Sequence, residues 1–248
     1  MVGKSVIIEE VKIDSEKPVI LEGLPDIGLV GTISVTHYLA KLDFKRTGYL
    51  ETEDFLPMLI IRNGNVGDVF EIYYRDGVYI IRSELPIPQK GLYEIVDEVV
   101  NWVKAKNPSL FLSLGGMPDP YRMDIADPKV YAVPTNEEAL SILSKMKGVE
   151  LLSDGFIFGP KALILRKLKK LGITGLGLFV QSYPNYPDPG SAAKVLTILP
   201  QIGLEKVEVD SLIASAEEIR MQYRELMRKT DDEIRRMRQV QPIAEQLV

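Results

Sequence analysis

The chain alternates between short β-branched runs, typical of buried strands, and longer stretches in which apolar residues recur with helical spacing. Strand-like runs cover residues 6–11 and 19–21, and a glycine-rich turn over residues 23–31 leads into helical periodicity over residues 32–42. From residue 109 onward, short apolar strands and helical stretches follow one another. Because this alternation is typical of parallel strands joined by crossover helices, it predicts a parallel sheet for that part of the chain.

The middle of the chain carries a hairpin signal. Residues 69–74 and 78–82 are rich in β-branched and aromatic residues, and Asp76-Gly77 lies between them. An Asp-Gly pair between two such runs favours a two-residue turn with positive φ angles. The sequence therefore predicts an α/β protein with a three-layer α/β/α core, an antiparallel hairpin inserted near its middle, and a long C-terminal helix.

The C-terminal part of the chain differs in character from the rest. Thirteen of the 22 residues from 217 to 238 are charged, which indicates a helix with a narrow buried face. We expect the apolar stripe of that helix to pack against another subunit rather than against its own sheet. The stripe consists of Leu212, Ala216, Ile219, Tyr223 and Leu226. We accordingly divide the chain into an α/β/α body, residues 1–208, and a C-terminal helix and tail, residues 209–248.

Composition narrows the possible function classes. The 248 residues include no cysteine and one histidine, His37, so thiol nucleophiles, disulfides and multi-histidine metal sites are excluded. The net charge is −5, whereas a general nucleic-acid surface needs an excess of Lys and Arg to neutralise phosphates. No run approaches the ~20 apolar residues of a membrane-spanning helix. We expect a cytoplasmic protein that uses no cofactor, binds neither nucleic acid nor membrane, and keeps His37 in a structural role.

The glycine-rich turn over residues 23–31 is the first candidate site. A glycine loop between a strand and a helix N-terminus can hold a phosphate group through its backbone N–H groups. Here the glycines lack the spacing of a dinucleotide-binding loop, and no Lys-Ser or Lys-Thr pair follows them as in a P-loop. The favoured interpretation is a tight turn whose glycines permit positive φ and close helix–sheet packing, with Asp26 capping the helix.

Two loops that follow strand ends are further candidates. Residues 117–124 carry Asp119, Arg122 and Asp124 at a position where open α/β sheets bind ligands, although an ordinary polar connection is favoured. Residues 182–189 combine tyrosine and proline. That composition suits a recognition surface and a rigid connection equally well.

One segment of the chain resembles a known family. The stretch LEGLPDIGLVG at residues 21–31 resembles the N-terminal signature of the proteasome assembly chaperone superfamily, in particular the archaeal relatives of the second eukaryotic assembly chaperone. The motif positions are Gly23, Pro25, Gly28 and Gly31. The resemblance continues, in the expected order, through residues 84–88, 114–116 and 183–193.

That resemblance implies an α/β/α fold akin to nucleoside phosphorylases without their catalytic residues, and a homo-oligomer that binds protein partners. Some archaeal relatives dock on the proteasome α-ring through a C-terminal motif of a hydrophobic residue, tyrosine and any residue. Here Gln246-Leu247-Val248 has leucine in place of the tyrosine, so the resemblance favours the self-assembling relatives. We expect a non-enzymatic, assembly chaperone-like scaffold with a proteasome-related client. The alternative is a small-molecule or nucleotide-binding protein, or an enzyme, of nucleoside phosphorylase-like fold.

Overall fold

The computed structural model describes residues 5–62 and 64–240. Its strands are β1 (Val6–Glu9), β2 (Val19–Gly23), β3 (Lys45–Glu51), β4 (Ile60–Arg62), β5 (Asn65–Gly67), β6 (Phe70–Arg75), β7 (Val78–Ser83), β8 (Leu110–Pro118), β9 (Val130–Pro134), β10 (Val149–Leu151) and β11 (Gly175–Ser182). Its helices are α1 (Val30–Lys41), α2 (Leu92–Lys106), α3 (Glu137–Leu143), α4 (Gly159–Leu171), α5 (Pro189–Ile198), α6 (Asp210–Ala214) and α7 (Ala216–Val240). None of the described helices combines the length and the apolar character that crossing a bilayer demands.

Nine of the described strands form one mixed sheet, in the order β1-β3-β6-β7-β2-β8-β11-β9-β10. β2 lies in the middle of this order and pairs in parallel with both β7 and β8. β8 pairs in parallel with β11, and β9 pairs in parallel with β10. The predicted α/β class is therefore confirmed.

The expectation of parallel strands throughout the second half is wrong at one pairing, which reverses both β9 and its parallel neighbour β10. β9 runs antiparallel to β11, with Ala132 opposite Leu178. The connection from β8 to β9 contains a short 3-10 turn, Arg122–Asp124, and no crossover helix among its described residues. Two parallel strands are usually joined by a crossover helix. Without one between β8 and β9, β9 enters the sheet in the direction opposite to β8.

The predicted hairpin joins β6 to β7 and lies within the main sheet. The two strands are antiparallel, with Arg75 opposite Val78. Asp76 and Gly77 at the turn have φ angles of 46° and 82°. Two successive positive φ angles match the right-handed twist of the flanking strands. The hairpin thus links the antiparallel edge of the sheet to its parallel centre.

Helices cover both faces of the sheet, as a three-layer fold requires. Successive side chains of a strand point to opposite faces, and the fully buried Ile20 and Leu21 of β2 accordingly belong to two separate apolar clusters. β8 repeats the pattern with Phe111 and Leu112. α1 and α5 pack over the Leu21 cluster, and α2 and α4 pack over the Ile20 cluster. The three-layer prediction is confirmed.

The C-terminal stripe packs against its own chain. The helical segment is interrupted at Ser215, between α6 and α7. Most of the stripe joins the apolar cluster beneath α1 and α5: Leu212 as a buried member, and Ile219, Tyr223 and Leu226 as partly buried ones. Ala216, the first residue of α7, is also partly buried. The stripe therefore has an apolar partner within the chain, and an intersubunit contact is not required to bury it.

Two expectations about this end of the chain stay predictions. One is self-association through the stripe, and the other is the division of the chain at residue 208. The structure adds that α6 and α7 share a core with the body through Leu212 and Met227. Residues 246–248, which led us to favour the self-assembling relatives, lie outside the described residues.

Candidate functional site

The turn between β2 and α1 is shaped by close backbone packing. Gly28 has a φ of 64°, and a Cβ atom there would overlap Ser182 Oγ. A Cβ atom at Gly31 would overlap the carbonyl oxygen of Leu114, and one at Gly23 would lie 2.6 Å from the carbonyl oxygen of Gly31. The glycines thus let α1 approach the carboxyl ends of β2 and β8, which is the close-packing interpretation of this turn.

Gly31→Ala tests that packing, and we expect it to destabilise the protein by about 3 kcal/mol. The new methyl group would meet the Leu114 carbonyl oxygen, which the β8–β11 ladder holds in place. Urea unfolding followed by circular dichroism measures the loss. Gly172→Ala is the control, because Gly172 has a φ of 68° and open space around its Cβ position, so only the backbone cost of about 1 kcal/mol applies. Equal losses in the two variants would contradict the packing argument.

A buried ion pair lies directly behind this turn. Lys161 Nζ donates to Glu22 Oε1 at 2.6 Å, and Ser113 Oγ donates to Glu22 Oε2 at 2.6 Å. The backbone N–H of Leu24 also donates to Glu22 Oε1. Glu22 is fully buried and Lys161 is 2% exposed. Two charges this far from water are stabilised only by each other and by these hydrogen bonds.

Asp26 is not a helix cap, so that prediction is wrong. Its side chain accepts no capping hydrogen bond from the turn that follows. Instead, Asp26 Oδ2 accepts from the backbone N–H of Gly116 at 2.8 Å, across to the end of β8. Oδ1 is buried and has no hydrogen-bond partner among the described residues. Burial, with a smaller contribution from the charge of Glu22, raises the pKa of Asp26 to about 7, although Lys161 and the backbone N–H groups of Gly116 and Gly31 act in the opposite direction.

A cavity of about 770 Å³ opens beside Asp26. The chain leaves β2 toward one half of the sheet and leaves β8 toward the other, so this is the switch point at which open α/β sheets bind ligands. The segment from β10 to the first turn of α4 forms one wall, and the second half of α7 forms another. Of the motif residues, Pro25 lines the cavity. Its aromatic lining consists of Tyr131, Phe156, Phe158 and Phe179.

Buried polar side chains join the other two candidate loops to each other. Arg122 Nε donates to Asp188 Oδ2 at 2.8 Å, and both side chains are buried. Asp188 also caps α5 by accepting from the backbone N–H of Ser191 at 3.0 Å. Asp119 accepts from Gln181 Nε2 at 2.6 Å. The connection interpretation of residues 117–124 is therefore confirmed for Arg122 and Asp119, and both loops are fastened to each other.

His37 has a structural contact. Its Nε2 atom lies 2.6 Å from the carbonyl oxygen of Glu208. The next residue, Tyr38, donates its hydroxyl proton to the carbonyl oxygen of Glu205 at 2.8 Å. Together the two side chains fasten α1 to the segment that leads into α6.

A second candidate surface was not predicted from the sequence. It consists of residues 55–62 and 64–67, which include β4 and β5 and which we call the arm. β4 and β5 pair with each other and form a sheet separate from the main one. Arg62 Nη1 fastens the arm to the body by donating to Glu71 Oε2 at 3.0 Å. Five large apolar side chains of the arm are between 46% and 69% exposed: Leu56, Met58, Leu59, Ile61 and Val66. The apolar run at residues 58–61 is equally typical of a buried strand, so this exposure could not be predicted from the residue pattern.

Known proteins resemble this chain in both sequence and fold. An uncharacterized protein of Methanocaldococcus jannaschii is 29% identical over 226 residues, which cover 91% of this chain and 92% of the relative. The crystal structure of Pyrococcus furiosus PbaA, described as an archaeal homolog of proteasome-assembly chaperone, has a TM-score of 0.85 and 27% identity. That match covers 92% of this chain and 98% of PbaA.

A further solved structure extends the likeness. Pyrococcus furiosus PbaB, described as an archaeal proteasome activator, has a TM-score of 0.75 and 26% identity, with coverage of 90% of this chain and 98% of PbaB. The sequence model of the PAC2 family matches residues 20–227. The match includes the glycine turn, the arm, the buried ion pair and the first half of α7. The resemblance to proteasome assembly chaperones is thereby confirmed, and the chain belongs to the PAC2 family.

Proposed function

We propose that this protein is a homo-oligomeric, assembly chaperone-like scaffold that acts in the cytoplasm by binding protein partners rather than by catalysis. Membership of the PAC2 family supports the class. The descriptions of PbaA and PbaB support a proteasome-related protein as the partner. The observation that carries the oligomeric part of the proposal is the exposed apolar arm.

The arm has the properties of a permanent interface. A two-stranded hairpin has little stability of its own in water. The sheet of β4 and β5 contains no other described strand, and the edges of such a sheet can pair with further strands. Contiguous apolar surface of this kind marks an interaction site or an aggregation hazard. A second copy of the same chain is the one partner that is present whenever the protein is made. We therefore assign the arm to self-association, with the α7 stripe as the second candidate surface.

Light scattering coupled to gel filtration tests this assignment. We expect the native protein to have a mass that is a multiple of 27.8 kDa. The double variant Leu59→Asp, Val66→Asp is expected to be monomeric, because charge would replace apolar contact on both strands of the arm, while its melting temperature stays unchanged. Met221→Asp is the control, since Met221 on α7 is 78% exposed and lies outside the arm.

Three outcomes would count against the arm. A monomeric native protein at micromolar concentration would contradict self-association altogether. An arm variant that kept the native mass would exclude this surface. If Tyr223→Asp lowered the oligomer mass and the arm variant did not, the interface would be assigned to the α7 stripe instead.

The proposed partner is tested on the native oligomer. Its co-migration with a purified archaeal proteasome is measured by gel filtration, first with the assembled particle and then with its separate subunits. No co-migration in either case would contradict the proposed partner.

A further inference from the structure

The cavity beside Asp26 has apolar walls that the described part of the chain leaves partly exposed. One wall is the segment that leads into α4, and the other is the second half of α7. Four partly exposed apolar side chains line them: Phe156, Phe158, Ile234 and Met237. Aromatic residues and methionine are enriched where proteins contact each other. At about 770 Å³, the cavity has the size of a site that encloses a drug-sized molecule, and several apolar side chains fit in the same space.

The charges in the cavity lining are largely balanced. Three of the charged residues belong to ion pairs: Lys161 with Glu22, Glu150 with Lys129, and Glu233 with Arg236. Burial raises the pKa of Asp26 to about 7, so its carboxyl group is mostly uncharged below that pH. The guanidinium of Arg238 lies 4.9 Å from the centroid of the Phe158 ring, and Asp154 is exposed to solvent. An uncharged, apolar occupant therefore suits this cavity, because it adds no new buried charge.

The arm supplies uncharged apolar surface of this kind. Among residues 55–62 and 64–67, Arg62 is the one charged residue, and its guanidinium donates to Glu71 and Glu84 of the body. The exposed apolar side chains of the arm, among them Leu59 and Val66, can therefore be buried without removing a charge from water. No described residue of the arm lines the cavity of its own chain. Within one copy, the arm and the cavity thus each present apolar surface that the other does not cover.

The arm and the cavity lie at the same edge of the main sheet. The arm leads into β6, whose first residue, Phe70, is opposite Ser83 at the end of β7. Gly23, the last residue of β2, is paired with Arg82 of β7, and Pro25, two residues farther along, lines the cavity. Two copies that face each other with this edge can therefore exchange contacts, the arm of each meeting the cavity of the other, as in a self-complementary two-fold interface.

We propose that the arm of one copy inserts its apolar side chains between the two walls of the cavity in a second copy. This inference rests on the self-association proposed above and names the surface that receives the arm. A second copy is the occupant because the apolar arm and the apolar cavity belong to one chain, so each arm has a cavity available in the partner. Once inserted, the apolar side chains of the arm are covered and no longer present an aggregation hazard.

The oligomer mass of a cavity variant tests the proposal. The double variant Phe156→Asp, Met237→Asp places one charge in each wall, at side chains that are only partly buried. We expect its mass by light scattering to fall from that of the native oligomer to 27.8 kDa, the mass of one chain, because the arm would have to desolvate two carboxylates to enter. Met221→Asp places the same charge on an exposed position of α7 outside the cavity, and this control is expected to keep the native mass. Circular dichroism shows whether the cavity variant is folded, and cross-linking decides if it is not.

Cysteine cross-linking probes the contact with less disruptive substitutions, because the chain has no cysteine of its own. Leu59→Cys in the arm is co-expressed with Met237→Cys in the cavity, and one of the two chains carries a tag that makes it longer. A short bismaleimide is expected to yield a product that contains one chain of each kind. Met221→Cys in place of Met237→Cys is the control and is expected to give no such product.

The outcomes separate this inference from the self-association on which it rests. A monomeric native protein would contradict both. A folded cavity variant that kept the native mass would overturn the inference alone, because the protein would then associate through another surface. The same conclusion would follow if Met237→Cys gave no product, or no more than Met221→Cys. If a chain carrying both Leu59→Cys and Met237→Cys were cross-linked within itself while the mixed chains were not, the arm would cover its own cavity, and the inference would again be overturned.

Discussion

Lys161→Met is expected to lower the free energy of unfolding by about 4 kcal/mol, although methionine fills nearly the same space. The loss arises from Glu22, which is fully buried and would be left without the ammonium group 2.6 Å away that balances its charge. The hydrogen bonds from Ser113 and Leu24 remain, but they cannot offset an uncompensated charge in a medium of low polarity. Urea unfolding at neutral pH measures the effect.

The double variant Glu22→Gln, Lys161→Met separates charge from packing. With both charges removed, glutamine Oε1 can still accept from the Leu24 N–H, and its Nε2–H can donate to the Ser113 hydroxyl oxygen, so we expect most of the lost stability to return. Lys167→Met is the matched control on the same helix, because Lys167 is a partly exposed residue paired with Asp97 at the surface and its loss should cost less than about 1 kcal/mol. If the double variant were as unstable as Lys161→Met, the effect would come from packing and not from the buried charge.

Local signals in the sequence were enough to predict the layers of the fold. The Asp76-Gly77 turn, the glycine turn and the helical periodicities each depend on neighbouring residues, and each appears in the structure where it was expected. The direction of β9 depends instead on the connection from β8, which contains a short 3-10 turn and no crossover helix. The prediction relied on the general alternation of strands and helices and did not weigh this one connection, which is why the parallel expectation was wrong there.

The candidate site was harder to predict because its members are distant in the chain. Lys161 meets Glu22 across 139 residues, and Asp26 meets Gly116 across 90. In the sequence, Asp26 has the appearance of a helix cap because it precedes a turn and a helix. Only the position of β8 beside β2 shows that its carboxylate is directed to another strand end, with one oxygen left unpaired.

Apolar stripes are also difficult to interpret from sequence. The residue pattern shows that an apolar surface must be covered, but it does not show which part of the chain or which partner covers it. The stripe from Leu212 to Leu226 was expected to meet another subunit, and the structure gives it a partner in its own chain. The arm is the opposite case. Its apolar run at residues 58–61 is typical of a buried strand, but the structure leaves Leu56 69% and Leu59 64% exposed. The surface that most needs an external partner is therefore the arm.

Asp26→Asn is expected to gain stability relative to the wild-type protein as the pH rises from about 4 to about 8. Burial raises the pKa of Asp26 from 3.8 to about 7, so between these values the carboxyl group ionises in the unfolded chain but stays protonated in the folded one. The wild-type protein therefore loses stability as the pH rises through this window, and the loss is complete above the folded-state pKa. A pKa shift of this size lowers the free energy of unfolding of the wild-type protein by about 4 kcal/mol across the window. The asparagine variant has no carboxyl group to ionise and does not show this loss.

Urea unfolding of the variant and the wild-type protein across this pH range measures the difference, and Asp127→Asn corrects for general effects of removing an acid. A difference that did not change with pH would mean that Asp26 ionises as freely in the folded protein as in the unfolded chain. The asparagine variant is expected to be the more stable protein above the folded-state pKa, where the wild-type carboxylate is both ionised and buried.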